Sequence, residues 1–559
     1  MRPGSHATAG LLSWIAASLI FGCGERTTVT GTGDAGIGMA PTPIPAPVPA
    51  PEPAPNPCNA GSAAPDVCIT VDATSSGPAV NRRVLGSNVQ WVDGGDNLLT
   101  YQTLNFDPSM QNLALQMAPT VLRYPGGAQS DWYIWSRGIG PLGARGLNIQ
   151  APTTRMQITY MGSGELLALG DALGADTLFT VNVVNGSASD AAAWVRQTNI
   201  TGLKSAAGKT LPKVGYWEIG NEPYLPNPDG SNPATCEVDP VTYVNRVNSF
   251  VQTMRAVDPG IKIGIALAND FENGIALVSP GCRGFATTVL KGLTQPVDFI
   301  SIHDAYLPYD PTGGDHPAAD EFHAAMASTA SLQADLGAMR TLLQQFPKLE
   351  GLPFAITEYN ALFSLNPASA YHQSMASPMG ALYVADALRL FASRDDILMA
   401  NQWSLSGNDH WGAIHSPTNT GGPYGRPEFE VFRLFGSALQ GVRLTATVKS
   451  PTFDAPKLGF SAAAAGLPVV TSLVTRSGSG TLHVVIINKD YMASHVAALA
   501  LENGSVLTIH LTLLSSSNVL QSDDQPNALQ RSESDLDTGA STVTLPAHSI
   551  ALLTVQIGP

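Results

Sequence analysis

The stretch that decides the fold is GYWEIGNEPYL, residues 215–225. It begins as an apolar, aromatic run of the kind enriched in β-strands. The run ends in an amide and a carboxylate side by side, Asn221 and Glu222, which are followed by Pro223. Because functional side chains are concentrated where buried elements pass into loops, this arrangement predicts that Glu222 belongs to a chemical site at a strand end.

The 559 residues exceed the usual size of one hydrophobic core, so two or more domains are expected. Between residues 83 and 430, short apolar runs alternate with helical patterns. In 243–257 the apolar residues recur at steps of four and three, which places one apolar stripe on a helix. Ser189 is the expected N-cap of another helix that starts at Asp190.

The apolar runs are rich in Val, Ile and Phe, which is typical of parallel strands buried on both faces. Eight such runs with helices between them predict an α/β fold, a (β/α)8 TIM barrel over residues 83–430. A doubly wound sheet is the main alternative, but no glycine-rich phosphate loop follows the first run. The predicted barrel strands are 84–89, 120–124, 177–183, 213–219, 262–267, 298–303, 353–357 and 398–404.

The pattern changes after residue 430. Strand-like runs follow one another with Gly, Ser, Asn and Asp between them and no helical stripe, which predicts a C-terminal antiparallel β-sandwich over 431–559. An alternating segment within residues 67–82 is expected to add an N-terminal strand to this sandwich. The predicted sandwich strands are 467–474, 482–488, 506–513, 542–545 and 550–557.

The first residues resemble an export signal of the bacterial lipoprotein type, predicted over residues 1–22. Arg2 supplies the positive charge, and the apolar stretch 11–21 is too short to span a bilayer. Cys23 then becomes the lipid-bearing residue that anchors the protein to a membrane, while an ordinary cleaved secretory peptide is the alternative. Residues 23–66 form a predicted disordered, proline-rich linker. We therefore expect an exported protein of the bacterial cell envelope, lipid-anchored or else periplasmic or secreted.

Four further cysteines, Cys58, Cys68, Cys236 and Cys282, predict two disulfides in an exported protein. Three connectivities are possible, and the short-range pairs Cys58–Cys68 and Cys236–Cys282 are favoured. No Cys/His spacing indicates a metal site, and no cofactor is expected. The net charge of −15 argues against a nucleic-acid partner.

Polar residues stand at the ends of several predicted barrel strands, where the active site of such a barrel lies. Two of them are glutamates, Glu222 and Glu358, each following a buried apolar run. Hydrolysis of a glycosidic bond requires such a pair, one carboxylic acid to protonate the leaving oxygen and one carboxylate to attack or to activate water. The other strand ends carry Arg123, His303 and Trp403.

These residues lie in recognisable motifs. WEIGNEP resembles the acid/base strand of clan A glycoside hydrolases, and ITEYN resembles their nucleophile strand. LRYPGGAQSDWYIWSRGIGP, residues 122–141, is similar to the strand-two region of family 51, the α-L-arabinofuranosidase and endoglucanase family, and 191–199 and 427–441 extend the likeness. The resemblance covers most of residues 80–440 and implies a barrel followed by a sandwich.

The resemblance also implies roles for individual residues. Glu222 would be the acid/base and Glu358 the nucleophile of a retaining reaction. Asn221 would bind the sugar 2-hydroxyl, and Arg123 would keep Glu358 ionised. The other predicted substrate-binding residues are His303 and Tyr306 on the strand-six rim, Trp403 and Gln90.

Two positions depart from the family pattern. Gln90 stands where the family carries a glutamate that grips the furanose, and Ala128 stands where an asparagine usually follows Pro-Gly-Gly. Both weaken the case for an arabinofuranoside while leaving the glutamate pair intact. Aromatic rings pack well on sugar faces, so four tryptophans are candidate stacking platforms: Trp91, Trp132, Trp135 and Trp403.

The sequence thus predicts an exported retaining O-glycosidase, α-L-arabinofuranosidase-like, that acts on a polysaccharide or oligosaccharide. An endo-β-glucanase or a xylan-type hydrolase on the same scaffold is the alternative enzyme. A non-catalytic, surface carbohydrate-binding lipoprotein is the alternative from another class, although binding alone requires neither glutamate. Sugar, linkage, exo or endo action and oligomeric state stay open.

Overall fold

The computed structural model describes residue 58 and residues 65–558, apart from 151–154, 226–234, 269–281, 304, 419–420, 479, 522–523 and 538–541. The predicted export signal, Cys23 and nearly all of the predicted linker lie outside these residues. Within the described part of the chain, no helix is long and apolar enough to cross a membrane.

The strands of the first 425 residues, in chain order, are β1 (Val67–Asp72), β2 (Gly86–Asn88), β3 (Val121–Tyr124), β4 (Leu147–Ile149), β5 (Met156–Ile158), β6 (Asp176–Val181), β7 (Tyr216–Ile219), β8 (Lys262–Ala266), β9 (Phe299–Ile302), β10 (Ala305–Pro308), β11 (Phe354–Leu362), β12 (Ile397–Gln402), β13 (Ser406–Gly407), β14 (Ile414–His415) and β15 (Tyr424–Gly425). Those that follow are β16 (Val442–Leu444), β17 (Ala446–Lys449), β18 (Thr452–Ala455), β19 (Ala464–Pro468), β20 (Val470–Ser477), β21 (Thr481–Asn488), β22 (His495–Asn503), β23 (Ser505–Ser515), β24 (Gln530–Leu536), β25 (Thr542–Leu545) and β26 (Ser549–Gly558). The α-helices are α1 (Asp93–Asp96), α2 (Pro108–Met117), α3 (Ser163–Leu173), α4 (Ala188–Val195), α5 (Pro240–Val257), α6 (Phe285–Gly292), α7 (Ala318–Leu343), α8 (Pro378–Ala392) and α9 (Pro427–Ala438).

Eight parallel strands close into a barrel in the order β2, β3, β6, β7, β8, β9, β11 and β12. The closing pair is β12 with β2, where Asn401 lies opposite Gly86 and Gln402 opposite Ser87. Each of these strands overlaps one of the eight predicted runs, so the predicted (β/α)8 barrel is confirmed. The short strand β10 continues the sheet beyond β9 by pairing with the carboxyl end of β11.

The helices pack their apolar stripes on the outside of the barrel. In α5 the predicted stripe is buried, with Tyr243, Val247, Phe250 and Met254 in the core. Helix α4 begins differently from the prediction, because Ser187 and not Ser189 accepts the capping hydrogen bond from the Asp190 backbone N–H. The helix therefore starts two residues earlier, at Ala188, and Ser189 lies inside its first turn.

Two sheets pack face to face to form the C-terminal sandwich. One sheet has the order β17, β1, β22, β25 and the other has the order β16, β20, β21, β26, β23, β24. The N-terminal strand β1 lies between β17 and β22 and pairs with β22 in parallel, unlike the remaining pairs of these sheets. Val67, Ile69 and Val71 of β1 share one hydrophobic core with residues of both sheets.

The outer face of the six-stranded sheet packs on the barrel. Residues of β20, β21 and β26 belong to the same hydrophobic core cluster as the barrel helices. At this contact Asp386 of α8 is buried beside Lys489, whose Nζ lies 3.3 Å from Asp386 Oδ2. Thr329 of α7 and Thr471 of β20 donate hydrogen bonds to the two oxygens of the same carboxylate. Asp386 thus connects barrel and sandwich.

Both favoured disulfides are present, Cys58–Cys68 and Cys236–Cys282, each with Cα atoms 5.7 Å apart. Cys236 precedes α5 and Cys282 precedes α6, so this second bond connects the segments that follow β7 and β8. Cys236 and Cys282 therefore follow the carboxyl ends of β7 and β8, the strand ends at which the polar residues converge.

Candidate active site

The chain turns sharply between β7 and Glu222. Gly220 has φ +77°, and a Cβ there would meet Val183 Cγ1 at 2.3 Å, so only glycine fits. Glu222 itself has φ 42°, a left-handed conformation that is strained for a residue with a side chain. Such strain persists where the surrounding structure requires one side-chain direction, and it is common at functional sites.

Glu222, Glu358 and His303 meet at the carboxyl end of the barrel. One side-chain ligand atom from each of the three lies within 4.8 Å of the other two. His303 Nδ1 lies 3.0 Å from Glu222 Oε1 and 3.9 Å from Glu358 Oε2, and its Nε2 lies 2.8 Å from Thr357 Oγ1. Burial alone would lower the pKa of His303, but the carboxylates of Glu358 and Glu222 outweigh it and raise the pKa. The imidazole therefore lies beside both glutamates and closer to Glu222.

Arg123, at the centre of the site, is fully buried at the middle of β3. Its guanidinium donates to Glu358 Oε1 at 2.7 Å, to Glu218 Oε2 at 2.8 Å, to Asn221 Oδ1 at 2.8 Å and to Asn88 Oδ1 at 3.0 Å. Burial raises the pKa of Glu218, but Arg123, His303 and the hydrogen bond from Thr180 together outweigh that effect and hold the pKa below its usual value. Arg123 thus fixes one oxygen of Glu358 and orients the Asn221 amide.

Tyr306 binds the other oxygen of Glu358. Its hydroxyl donates to Glu358 Oε2 at 2.6 Å, and its ring meets Trp411 edge-on at 5.8 Å between centroids. Burial and the neighbouring Glu358 charge raise the pKa of Tyr306 well above its usual value, so the phenol stays a hydrogen-bond donor. Both oxygens of Glu358 are therefore engaged by donors.

The two glutamates occupy different surroundings. The Glu222 side chain is 23% exposed, whereas that of Glu358 is 6% exposed. The donor set of Glu222, His303 and Glu358 is of a type that can hold a cation. Arg123, however, neutralises the Glu358 carboxylate, and Arg123 and Tyr306 each donate a hydrogen bond to one of its oxygens, which does not fit a metal ligand.

Trp403 and Gln90 stand at the edge of the site. Added Cβ atoms at Gly126 and Gly127 would meet the Trp403 ring at 3.4 and 2.5 Å, so the two glycines make room for the indole. Gln90 lies against Gly126 and donates to Asp96 Oδ2 at 3.3 Å. Its amide therefore has a partner in α1.

Of the other three tryptophans that the sequence suggested as sugar platforms, Trp91 is excluded. It is fully buried and packs against Tyr133 with ring centroids 6.0 Å apart, so no sugar can reach it. Trp132 and Trp135 are partly exposed and line a cavity between the loop after β3 and the start of α4.

Sequence reasoning missed the buried acids of the site, Glu218 and Asp131. Glu218 lies between Trp217 and Ile219, and a charged residue inside an apolar strand is a signal that could have identified it. Asp131 is fully buried, and its Oδ1 accepts a hydrogen bond from the Asn221 backbone N–H at 3.4 Å. Burial and the nearby Glu237 carboxyl raise the pKa of Asp131 well above its usual value.

Parts of the chain are similar in sequence to α-L-arabinofuranosidases. A sequence profile of the alpha-L-arabinofuranosidase 1 domain matches residues 113–288, a segment that contains Arg123, Asn221 and Glu222. The chain resembles clan A glycoside hydrolases of family 51.

Individual relatives agree with that class. The exo-alpha-(1->6)-L-arabinofuranosidase of Bifidobacterium longum is 23% identical over 479 residues, which are 79% of this chain and 87% of that protein. A probable alpha-L-arabinofuranosidase C of Aspergillus fumigatus is 25% identical over 191 residues, so the match spans only 37% of the fungal protein and 33% of this chain. The crystal structure of an alpha-L-arabinofuranosidase from Thermotoga maritima with arabinose has a TM-score of 0.72 at 19% identity, with 88% of this chain and 100% of that chain covered. This last likeness shows that the two chains share the fold.

Proposed function

We propose that the protein is a retaining glycosidase in which Glu358 is the nucleophile and Glu222 the acid/base. The observation that supports this most directly is the closeness of the pair, since an oxygen of Glu222 lies within 4.8 Å of an oxygen of Glu358. Retaining enzymes hold their carboxyl groups about 5–5.5 Å apart, whereas inverting enzymes need about 6.5–9.5 Å to admit a water molecule between acid and base. The short separation here favours the retaining arrangement.

In the first step, a Glu358 oxygen forms a bond to the anomeric carbon as the glycosidic C–O bond breaks. Glu222 gives its proton to the departing oxygen, and a glycosyl-enzyme ester results. Arg123 and Tyr306 orient the Glu358 carboxylate for this attack. In the second step, Glu222 takes a proton from water, the water oxygen bonds to the anomeric carbon, and the ester bond to Glu358 breaks.

Two further residues bind or position the groups of this reaction. Asn221, held by Arg123, is placed to bind the sugar 2-hydroxyl with its remaining amide hydrogens. His303, 3.0 Å from Glu222, positions the acid/base. The different exposure of the two glutamates is consistent with the different roles, because the acid/base must reach both the leaving oxygen and water.

We further propose an α-L-arabinofuranoside as the substrate, on the strength of the relatives' names, the arabinofuranosidase domain match and the catalytic pair. The export signal over residues 1–22 and lipid attachment at Cys23 remain part of this proposal. Incorporation of a labelled fatty acid into the wild-type chain but not into Cys23→Ser tests the anchor, and equal labelling of both refutes it.

Replacement of the nucleophile tests the mechanism. Glu358→Gly should lose at least about a thousandfold in kcat, because the covalent step is gone, and azide should restore turnover with inversion at the anomeric carbon. Glu350→Gly, a change at an exposed glutamate, is the matched control and should keep wild-type kcat. Full activity of Glu358→Gly would refute the assignment.

A hydrolysis panel tests the substrate. Aryl α-L-arabinofuranoside should be cleaved faster than aryl β-xyloside or β-glucoside, and the matching polysaccharides should follow the same order. Preference for a β-glucan or xylan would favour the endo-acting alternative, and binding without release of any sugar would favour the carbohydrate-binding alternative.

A further inference from the structure

A cavity of about 500 Å³ lies between the loop after β3 and the start of α4. Trp132 and Trp135 line one side of it, and Asn182 and Asn185 line another. The Trp135 ring stacks on the buried Trp194, with an angle of 5° between the ring planes. The volume of the cavity is within the range of about 300–1,000 Å³ that is usual for small-molecule sites.

The chemistry of the lining suits a neutral sugar. The apolar face of a sugar packs on an aromatic ring, and amide side chains pair with its hydroxyl groups. Asp190 also lines the cavity, but its carboxylate accepts a hydrogen bond from Ser187 Oγ at 2.6 Å, so it is already engaged. The Trp132 indole N–H is buried and has no hydrogen-bond partner among the described residues, so Trp132 offers the cavity its ring and not its N–H.

The Trp135 ring, which we call the platform, is held in place before any ligand binds. The Trp135 indole N–H donates to the Asp190 backbone carbonyl at 3.0 Å, and this bond fixes the ring against α4. Asn182 Oδ1 accepts hydrogen bonds from the backbone N–H groups of Asn185 and Gly186, which shapes the opposite wall. Such preorganisation lowers the entropic cost of binding.

The cavity wall is joined to the segment that carries the acid/base. Asn185 Nδ2 donates to the Asp131 carbonyl at 3.0 Å, and Asp131 Oδ1 accepts from the Asn221 backbone N–H. Asn221 immediately precedes Glu222. An acid that protonates the leaving oxygen must lie beside the leaving group, so the leaving group occupies the Glu222 side of the site.

We infer that this cavity is a subsite for a neutral saccharide leaving group, an inference that rests on the proposed roles of Glu222 and Glu358. The protein would then act on sugars attached to a further saccharide unit, and would draw part of its transition-state binding from that unit. Trp135 is the stacking residue of this subsite.

Two variants test the subsite from opposite directions. Trp135→Ala removes the platform, and Ser136→Trp fills the cavity from an exposed lining position without removing a buried group. The measurement is kcat/KM for a linear L-arabinofuranosyl trisaccharide divided by kcat/KM for an aryl α-L-arabinofuranoside, whose leaving group carries no sugar. Each variant should lower this ratio by about tenfold or more, since remote binding energy contributes to kcat/KM. Tyr101→Ala, an 81% exposed aromatic outside this cavity, is the control and should keep the wild-type ratio.

An unchanged ratio in both folded variants would overturn the subsite and leave the catalytic assignment intact. If the wild-type protein cleaves neither substrate, the proposed function fails. A binding measurement then tests the cavity as a saccharide site independently of catalysis. Calorimetric titration of the uncleaved trisaccharide into the wild-type protein and into Ser136→Trp should show at least tenfold weaker binding in the variant. Equal affinity in the two proteins would overturn the saccharide site.

Discussion

The Tyr306 hydroxyl offers a sharp test of how the nucleophile is oriented. In Tyr306→Phe the ring keeps its edge-on contact with Trp411, and only the hydrogen bond to Glu358 Oε2 is lost. That carboxylate keeps its hydrogen bond from Arg123 on the other oxygen. The variant should therefore fold normally and show its defect in turnover.

The size of the defect follows from the bond that is lost. A hydrogen bond to a charged group contributes about 1.5–3 kcal/mol. Since about 1.4 kcal/mol corresponds to a factor of ten, kcat/KM should fall by about 10- to 100-fold. Because Tyr306 contacts the nucleophile and holds its orientation, we expect most of the loss in kcat and little in KM.

The assay is steady-state hydrolysis of an aryl α-L-arabinofuranoside, with melting temperature as the measure of folding. Tyr371→Phe is the matched control, because the Tyr371 hydroxyl donates to the His316 backbone carbonyl at 2.9 Å and does not contact either glutamate. That control should stay within about twofold of wild-type kcat/KM, since a neutral hydrogen bond away from the reacting atoms is lost. A Tyr306→Phe enzyme with wild-type kcat, or an equal loss in both variants, would refute the proposed orientation of Glu358.

Two further predictions concern stability. Burial raises the pKa of Glu428 from 4.5 in the unfolded chain to about 8. The contribution of this carboxyl group to the free energy of unfolding is therefore fully present below pH 4.5, and it is lost as the pH rises toward 8. Glu428→Gln should therefore stabilise the protein by about 3 kcal/mol at pH 7 and leave it unchanged near pH 4.5, and melting curves that are equally pH-dependent in both proteins would contradict this. Asp386→Ala leaves Lys489 buried and unpaired at the contact between barrel and sandwich, so it should cost about 3–5 kcal/mol in chemical unfolding. Asp395→Ala, which breaks an exposed pair with Arg443, should cost less than about 1 kcal/mol, and similar losses in the two variants would refute the role of the Asp386 contact.

The barrel could be predicted because its signal is local. Each parallel strand is buried on both faces, so its residues read as an apolar run whatever the rest of the chain does. The run 177–183, for example, corresponds to β6 (Asp176–Val181). The sandwich was harder to predict. From the sequence, β22 (His495–Asn503) was missed, because its alanines favour a helix. Only its pairing with β1 and β25 makes this segment a strand. The predicted strand 467–474 is divided between β19 and β20, because β19 pairs with β18 in a separate two-stranded sheet.

The site likewise has residues that the sequence could identify and residues that only the folded chain brings together. Glu222 and Glu358 could be named from the sequence, because each follows its strand directly and strand ends converge in a barrel. Glu218 and Asp131 could not be placed, because their importance depends on Arg123 and Asn221, which are close to them only in the folded chain. The contact between His303 and Glu222 likewise joins the ends of two different strands.

The sequence by itself therefore determined the class of fold, the strands of the barrel and the two glutamates, since these depend on periodicity and on residue type at a strand end. Only the tertiary structure decided which oxygen of Glu358 each donor binds, that Trp91 lies in the core and that Trp135 borders a cavity. Distances between residues far apart in the chain depend on how strands curve and helices pack around a closed barrel. Those are collective properties of packing, and no local stretch, GYWEIGNEPYL included, carries them alone.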